Sequence, residues 1–493
     1  MSICRKYNLL FLVALIALVG RADAQSNLPS ARPANLRSVE AWTQAQQKSH
    51  AGNTNIWIAR GVLADRSAQR VEMVAEATGL GVGSIAEFVV VGETSPKDYE
   101  ALSVALAKAG DVCHALEFLG VPRGRPVKPA VFQFWPKGER VQARIWQLGR
   151  DAKSGRLLSA CLRDQRPQAA AVGGLVYVGS CWSGAVCQAD ADAPGALIST
   201  YNEPSVVLDV PGRAPQGEVY GNLVVAPEGR FDSGTLLVIE LTPQPLSNGV
   251  ARVVDVALTA RPRAGVSNGV AGVECVTRIS GSAAPSVTND VKGTLAQLAL
   301  LAGNGRDLFV RVTLDDALTT GTAGDLARVL SMVEGQGGVR VEAPPAGQVY
   351  YKAFLPDERW RTRADRPSQP WELRVSRNKD GVWASTLVQI LEDWSKEGQL
   401  TPDLTPTEFP LARPEDLPGK IRELIAVQVA AVKQKLAKDG KPVSEDNVEQ
   451  MATLQRINTL FVFAPPDAPL GTYLPAVRQV HDALPQVHVF VEK

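Results

Sequence analysis

Apolar residues change their spacing several times along this chain, and each change predicts a different kind of element. Leu9–Gly20 is an unbroken apolar run of twelve residues behind Arg5 and Lys6. Arg70–Ala77 and Ala86–Val91 are short Val-rich runs with Gly-rich punctuation between them, as hairpin strands are. Ala109–Leu119 predicts a helix, because Val112, Leu116 and Leu119 fall at helical spacing and Gly120 stops it. Phe132–Trp146, Ala171–Trp182 and Asn248–Ile279 return to strand character. Gln25–Asn55 is polar throughout and predicts a loosely held leader.

Further on, strands and helices alternate. Leu308–Val312 reads as a strand, Ala323–Val333 as a helix with Leu326, Val329 and Leu330 on one face, and Val339–Glu342 as a second strand. That span of about 35 residues is the size of a βαβ unit. The order recurs at the C-terminus in Thr459–Phe463, Tyr473–Ala483 and Val487–Val491. Leu308-Phe309-Val310 is echoed by Leu460-Phe461-Val462, and Asp316-Ala317-Leu318 before Gly321-Thr322 by Asp467-Ala468-Pro469 before Gly471-Thr472. Two explanations stay open, an internal duplication or coincidence. Residues 308–342 and 459–491 each resemble, at the level of fold, the small periplasmic domain of the ExbD/TolR family of energy-transducing proteins. The chain shows no counterpart of that family's N-terminal membrane-spanning helix. Between the two units, Pro402, Pro406, Pro410, Pro414 and Pro418 recur every four residues, which predicts an extended, surface-bound linker over 401–418. It leads into a helix over Pro418–Lys438, whose stripe of Ile421, Ile425, Val429, Val432 and Leu436 is expected to pack on the neighbouring sheet.

A chain of 493 residues exceeds the size of a single core, so two to four domains are expected. The reading is α+β: a strand-rich N-terminal domain over 56–245, a strand-rich segment with the first βαβ unit over 246–365, and an α/β unit over 366–493. Hydrophobic residues at 45% and charged residues at 21% fit a globular protein rather than a disordered or membranous one.

The basic start, the apolar run and Ala22-Asp23-Ala24 together make a signal peptide cleaved near Ala24. The run is shorter than the roughly 20 residues needed to span a bilayer, so export to the periplasm or the medium is expected, with no membrane span in the mature chain. The net charge is +1, and residues 1–24 carry +2 of it (Arg5, Lys6 and Arg21 against Asp23), which leaves −1 for the remainder. A near-neutral chain has no electrostatic footprint for nucleic acid.

Five cysteines follow the signal segment: Cys113, Cys161, Cys181, Cys187 and Cys275. In an oxidising compartment the close pair Cys181 and Cys187 is the candidate disulfide. A three-residue loop at 183–185 sets the two opposite each other, and a two-residue loop does not. Gly265-Val266-Ser267-Asn268-Gly269 matches the G-x-S-x-G elbow of hydrolases, yet strand-like runs on both sides favour a hairpin turn. Gly79, Gly81 and Gly83 read as a turn rather than a dinucleotide loop. Asp190-Ala191-Asp192 lacks the remaining ligands of a calcium loop and reads as a solvated turn. Cys113 and His114 are adjacent, but neighbours on a helix point about 100° apart, so Cys113 is expected in the core. No catalytic, cofactor-binding or metal-ligating set emerges, and no cofactor is expected.

One long segment is similar to a known family. Glu87-Phe88-Val89-Val90-Val91, Lys97-Asp98-Tyr99-Glu100-Ala101-Leu102, Asp111–Gly120 and Gly124-Arg125-Pro126-Val127 resemble the YdjY-like family of exported bacterial proteins. Val178-Gly179-Ser180 and Gly195–Asn202 ahead of Pro204 continue the resemblance, which covers about 56–245. It implies an exported protein with no established reaction, and it singles out Glu100 and His114 as ligand candidates lying near one another across strand and helix. Some members are described as ferredoxin-like, but the C-x₂-C-x₂-C spacing of an iron–sulfur site is absent here. The expected function is therefore a non-enzymatic binding or envelope-associated module, with an envelope protein as partner. The alternative is an enzyme, hydrolytic or thiol-redox, assembled from distant loops. A deep pocket gathering Glu100, His114 or the Asp315-Asp316 turn would sink the binding-module reading in favour of that alternative.

Overall fold

The computed structural model describes residues 31–129, 133–166, 174–192, 195–246, 251–265, 269–281, 285–335, 337–342, 349, 351–356, 371–393, 403–438, 440, 459–480, 484 and 486–492. The expected signal segment and Ser267 of the elbow motif lie outside them. The fold is α+β, with three main sheets.

The first sheet is built from β1 (Ile56–Ala59), β2 (Val62–Asp65), β3 (Arg70–Ala77), β4 (Phe88–Val91), β5 (Ala101–Ala105), β6 (Arg140–Gln147), β7 (Leu175–Tyr177), β8 (Ala196–Ser199), β9 (Leu208–Asp209) and β10 (Leu236–Pro243). Its pairing order, β3-β10-β6-β7-β9-β8-β4-β5, returns to β3 and so closes a ring of eight strands. Closure works because β3 shares one edge between two partners. Residues 70–73 pair with β2, and Ala75, Glu76 and Ala77 pair with β5. Alternate residues of three strands, Val71, Met73 and Ala75, Val141, Ala143 and Ile145, and Leu237, Ile239 and Leu241, supply the main core, as the two-residue period of a strand dictates.

Two helices flank this ring. α1 (Arg32–Ser49) occupies the stretch expected to be a loose polar leader. Its apolar side is only Leu36, Val39 and Trp42, and these pack on Val74, Leu106, Leu148 and Leu236. Arg32 and Asn35 bind the Glu76 carboxylate at 3.0 and 2.7 Å, which fixes the helix start on β3. α2 (Ala109–Phe118) lies where the periodicity predicts, with Val112 and Leu116 in the main core.

The second sheet contains β11 (Val253–Pro262), β12 (Val273–Ile279), β13 (Val287–Asp290), β14 (Asp307–Leu314) and β15 (Val339–Glu342), in the order β13-β12-β11-β14-β15. The β11–β12 antiparallel pair brackets the elbow motif with strands on both sides, the context of a hairpin rather than of a hydrolase elbow. The third sheet contains β16 (Phe354–Pro356), β17 (Trp371–Arg377), β18 (Trp383–Asp393), β19 (Asp403–Leu411), β20 (Thr459–Ala464) and β21 (Gln486–Val491), in the order β16-β21-β20-β17-β18-β19. Apart from β16, the two sheets share one topology. Each has an antiparallel pair of long strands, an antiparallel edge strand, a helix, a parallel strand, a helix and a second parallel strand. The helices are α3 (Val291–Ala302) and α4 (Thr320–Val333) in one, α5 (Leu417–Lys438) and α6 (Leu474–Gln479) in the other.

The proline stretch is extended at the surface, as expected, but forms an edge strand, β19, rather than a linker. Pro406 and Pro410 stand opposite Ile390 and Thr386 in the ladder. Spaced by four, they share one side of the strand, and an edge strand leaves one row of N–H groups unneeded. Pro414 and Pro418 sit in the first turns of the helical segments that follow. Ile421 of α5 packs into the shared core with Ile425 against it, as its stripe predicts, joined by Leu424 from outside the stripe, while Val429, Val432 and Leu436 form a separate cluster.

Candidate functional site

A candidate site is a pocket of about 460 Å³ in the first unit, at the N-terminal end of α2. Its walls come from Arg60, from Gly92–Thr94 after β4, from residues 107–114, and from the hairpin that carries Trp182 and Cys187. Arg60 and Glu93 close one side as an ion pair at 2.6 Å. On the helix side stand Lys108, Asp111 and the exposed His114, whose ring lies 5.5 Å from that of Trp182. The Trp182 indole donates to Gly179 O at 2.9 Å and carries the Arg123 guanidinium over its face. Neither Lys108 nor Asp111 has an ion-pair partner among the described residues. Burial pushes the Asp111 carboxyl above its usual range, the Asp190 charge adds to this, and Lys108 opposes it.

Asp190 is a structural part of this site. Its two carboxylate oxygens accept from the Ala109 and Gly110 N–H groups at 2.7 and 2.9 Å. Those N–H groups have no partner within the helix, and a carboxylate there also faces the positive end of the helix dipole. The expectation of a merely solvated turn is corrected on this point, since Asp190 ties the hairpin to α2.

The cysteines are arranged differently from the expected pair. The hairpin turns over two residues, so Trp182 stands opposite Cys187 and Ser183 opposite Val186. Cys181 falls outside that register and directs its thiol to Pro204 O at 3.4 Å. Cys187 instead packs in one core cluster with Cys113, whose thiol donates to Gly179 O at 3.6 Å, and the two cysteines shift each other's acidity. All five described cysteines are free thiols. The neighbouring Cys113 thiol holds Cys187 down to about 7 against the opposing effect of burial, with the Ser180 hydroxyl and the Ala189 N–H adding to it. Cys113, fully buried, is pushed well above the usual thiol range. Ser180 holds this corner in a left-handed conformation (φ 59°), next to Gly179 at φ 75°. Its hydroxyl donates to Ser205 O at 2.5 Å.

The structure does not bring Glu100 and His114 together. Glu100 ends a short turn and binds Lys97 at 2.6 Å. It also faces Glu87, which is 3% exposed. His114 lies in the pocket, which takes in neither Glu100 nor the Asp315-Asp316 turn. The main-chain N–H of Ala317 binds Asp315, and Asp316 holds Arg478 through two bonds of 3.1 and 2.7 Å. Among the described residues no helix is long and apolar enough to cross a membrane. No group of three or more His, Cys, Asp or Glu residues among them is placed to hold a metal ion. Sequence reasoning missed Asp111, Trp182 and the Cys113–Cys187 contact. Only the adjacent Cys113-His114, one residue for each side of a helix wall, pointed towards them.

No family model, no curated protein and no solved structure matches this chain.

Proposed function

We propose that the protein is an exported binding module whose pocket at the N-terminal end of α2 takes a small zwitterion, an amino acid or a short peptide. The carrying observation is an unpaired cation and an unpaired carboxyl, Lys108 and Asp111, in one pocket of ligand size beside the Trp182–His114 wall. A ligand carboxylate is complementary to Lys108 and a ligand ammonium to Asp111, while Trp182 offers an apolar face. Export follows from the signal pattern at the N-terminus, and the YdjY-like resemblance agrees with it. The pocket also gathers His114 and a thiol, which keeps the enzyme alternative in its thiol-redox form.

Calorimetric titration with a panel of free amino acids and dipeptides tests the reading. Binding by at least one member, weakened about tenfold or more by Asp111→Asn and by Trp182→Ala, is the expected result. A panel that gives no heat with the folded protein overturns it.

A further inference from the structure

We propose that Cys113 and Cys187 form a dithiol that exchanges with a small disulfide entering the pocket, Cys187 as the attacking thiol and Cys113 as the resolving one. The substrate class, a disulfide whose halves carry ammonium and carboxylate groups, rests on the zwitterion reading of the pocket. The exchange itself does not.

The helix geometry sets up the pair. A Cβ added at Gly110 would lie 3.4 Å from the Cys187 Cβ, so the hairpin cysteine sits directly on α2. Cys113 is one turn further along the same face and shares a core cluster with Cys187, close enough that each shifts the other's acidity. Accessibility divides the roles. Cys187, although only 3% exposed, lines the pocket, whereas Cys113 has no exposure and is not among the lining residues. An attacking thiol needs access and thiolate character, and a resolving thiol needs proximity to the attacker. Cys181 does not fit either role, since the two-residue turn takes it out of register and its thiol faces Pro204 O.

The chemistry balances without a further reagent. The Cys187 thiolate attacks one sulfur of the disulfide, the bond between the two substrate sulfurs breaks, and the first leaving thiolate takes a proton from solvent. Cys113 then loses its proton to solvent and attacks the Cys187 sulfur. The Cys113–Cys187 bond forms, the mixed disulfide breaks, and the second leaving thiolate is protonated. The protein loses two electrons, and the substrate gains them as two thiols.

The test uses the full mature chain, reduced, freed of reductant and mixed with oxidised glutathione or with neutral hydroxyethyl disulfide. Acid quenching, alkylation and peptide mass spectrometry follow. A Cys113–Cys187 linked peptide with two equivalents of released thiol is expected. Cys181→Ser should behave as the parent. Cys113→Ser should stop at a Cys187 mixed disulfide with one equivalent released, and Cys187→Ser should release none. A Cys181–Cys187 link, or Cys187 left alkylatable after exposure to both disulfides, overturns the proposal. Should Cys113→Ser fail to fold, the link map of the parent and of Cys181→Ser still decides. Equal rates with both disulfides would remove the zwitterionic substrate class and leave the exchange standing, whereas a tenfold or greater preference for glutathione supports both.

Discussion

Single carboxyl groups in this chain act according to what surrounds them rather than to their local sequence. Asp190, in a short acidic turn, becomes the cap of a helix 80 residues away. Glu87, inside an apolar run, becomes a buried acid. Its burial, reinforced by the facing Glu100 carboxylate, raises it from 4.5 to about 7, while Lys97 pulls the other way. Tyr99, Tyr201, Glu203 and Tyr220 complete the polar surroundings of that corner. The folded state therefore binds a proton that the unfolded chain has released between pH 4.5 and about 7. Stability contributed here is present below pH 4.5, falls as pH rises through that window, and stays lost above it. Glu87→Gln removes the titration. Its melting temperature should exceed that of the parent by a few degrees at pH 8 and draw level near pH 5. Parallel melting curves across that range would contradict the assignment. None of this was legible in the residue letters, because both effects depend on partners brought in by the fold.

Elements were legible where their hydrophobic period is strong and local. Arg70–Ala77 and Val339–Glu342 appear with the expected bounds, and α2 ends one residue early. α1 was missed because three partly spaced apolar residues among Gln, Ser and Arg do not make a wide stripe. β19 was missed because Pro excludes a residue from a central strand but not from an edge. The echo between the two βαβ units acquires a structural counterpart. Their equivalent turns meet across a local two-fold arrangement about the Thr319–Pro469 bridge. Thr320 N–H binds Ala468 O and Leu470 N–H binds Leu318 O, each at 2.8 Å. Gly321 N–H binds Pro466 O and Gly471 N–H binds Asp316 O, at 2.9 and 2.7 Å. Together with the shared topology, this favours duplication over coincidence. At the centre, the buried Thr320 hydroxyl donates to Ala468 O at 2.8 Å, so the Tyr473 hydroxyl, 3.0 Å away, donates to it. Thr320→Val keeps the shape and strands the Tyr473 hydroxyl, at a cost of about 1–3 kcal/mol. Tyr473→Phe combined with Thr320→Val should recover part of that loss, because neither polar partner remains. Denaturant melts of the three variants check the cycle, and strictly additive losses would refute the coupling.

At the scale of the whole molecule, residues 123–129 and 133–139, together with Arg140 at the start of β6, form an arm that reaches from the ring to the second sheet. Gly124 and Gly138 let this arm lie against the ring, since a Cβ there would come within 2.4 and 1.9 Å of Tyr177 O. Its side chains then reach β11, β14 and β15. Arg125 binds Glu342 at 2.5 Å, Lys137 binds Asp255 at 2.6 Å, and Arg140 binds Asp307 at 3.0 Å. Trp135 donates to Glu334 at 2.7 Å. Glu342 is 6% exposed and also receives Arg311 at 3.1 Å, and Arg340 completes the Asp307 site at 2.8 Å. Carboxylates at this depth are costly to leave unpaired, more so than the pairs are stabilising when intact. Arg311 and Lys137 remain beside Glu342 after Arg125→Ala. The variant should therefore lower stability by less than the roughly 3–5 kcal/mol of a buried charge left unpaired and do so with little dependence on salt, since buried pairs are weakly screened. Glu342→Gln, which removes the charge itself, should cost less. Scanning calorimetry reads both effects. If the seam couples the ring to the two repeated sheets, Arg125→Ala should also spread or split the unfolding transition, with the Thr320→Val variant shifting only the component that belongs to the repeats. An Arg125→Ala thermogram superimposable on that of the parent would mean that the arm orients the units without holding them together.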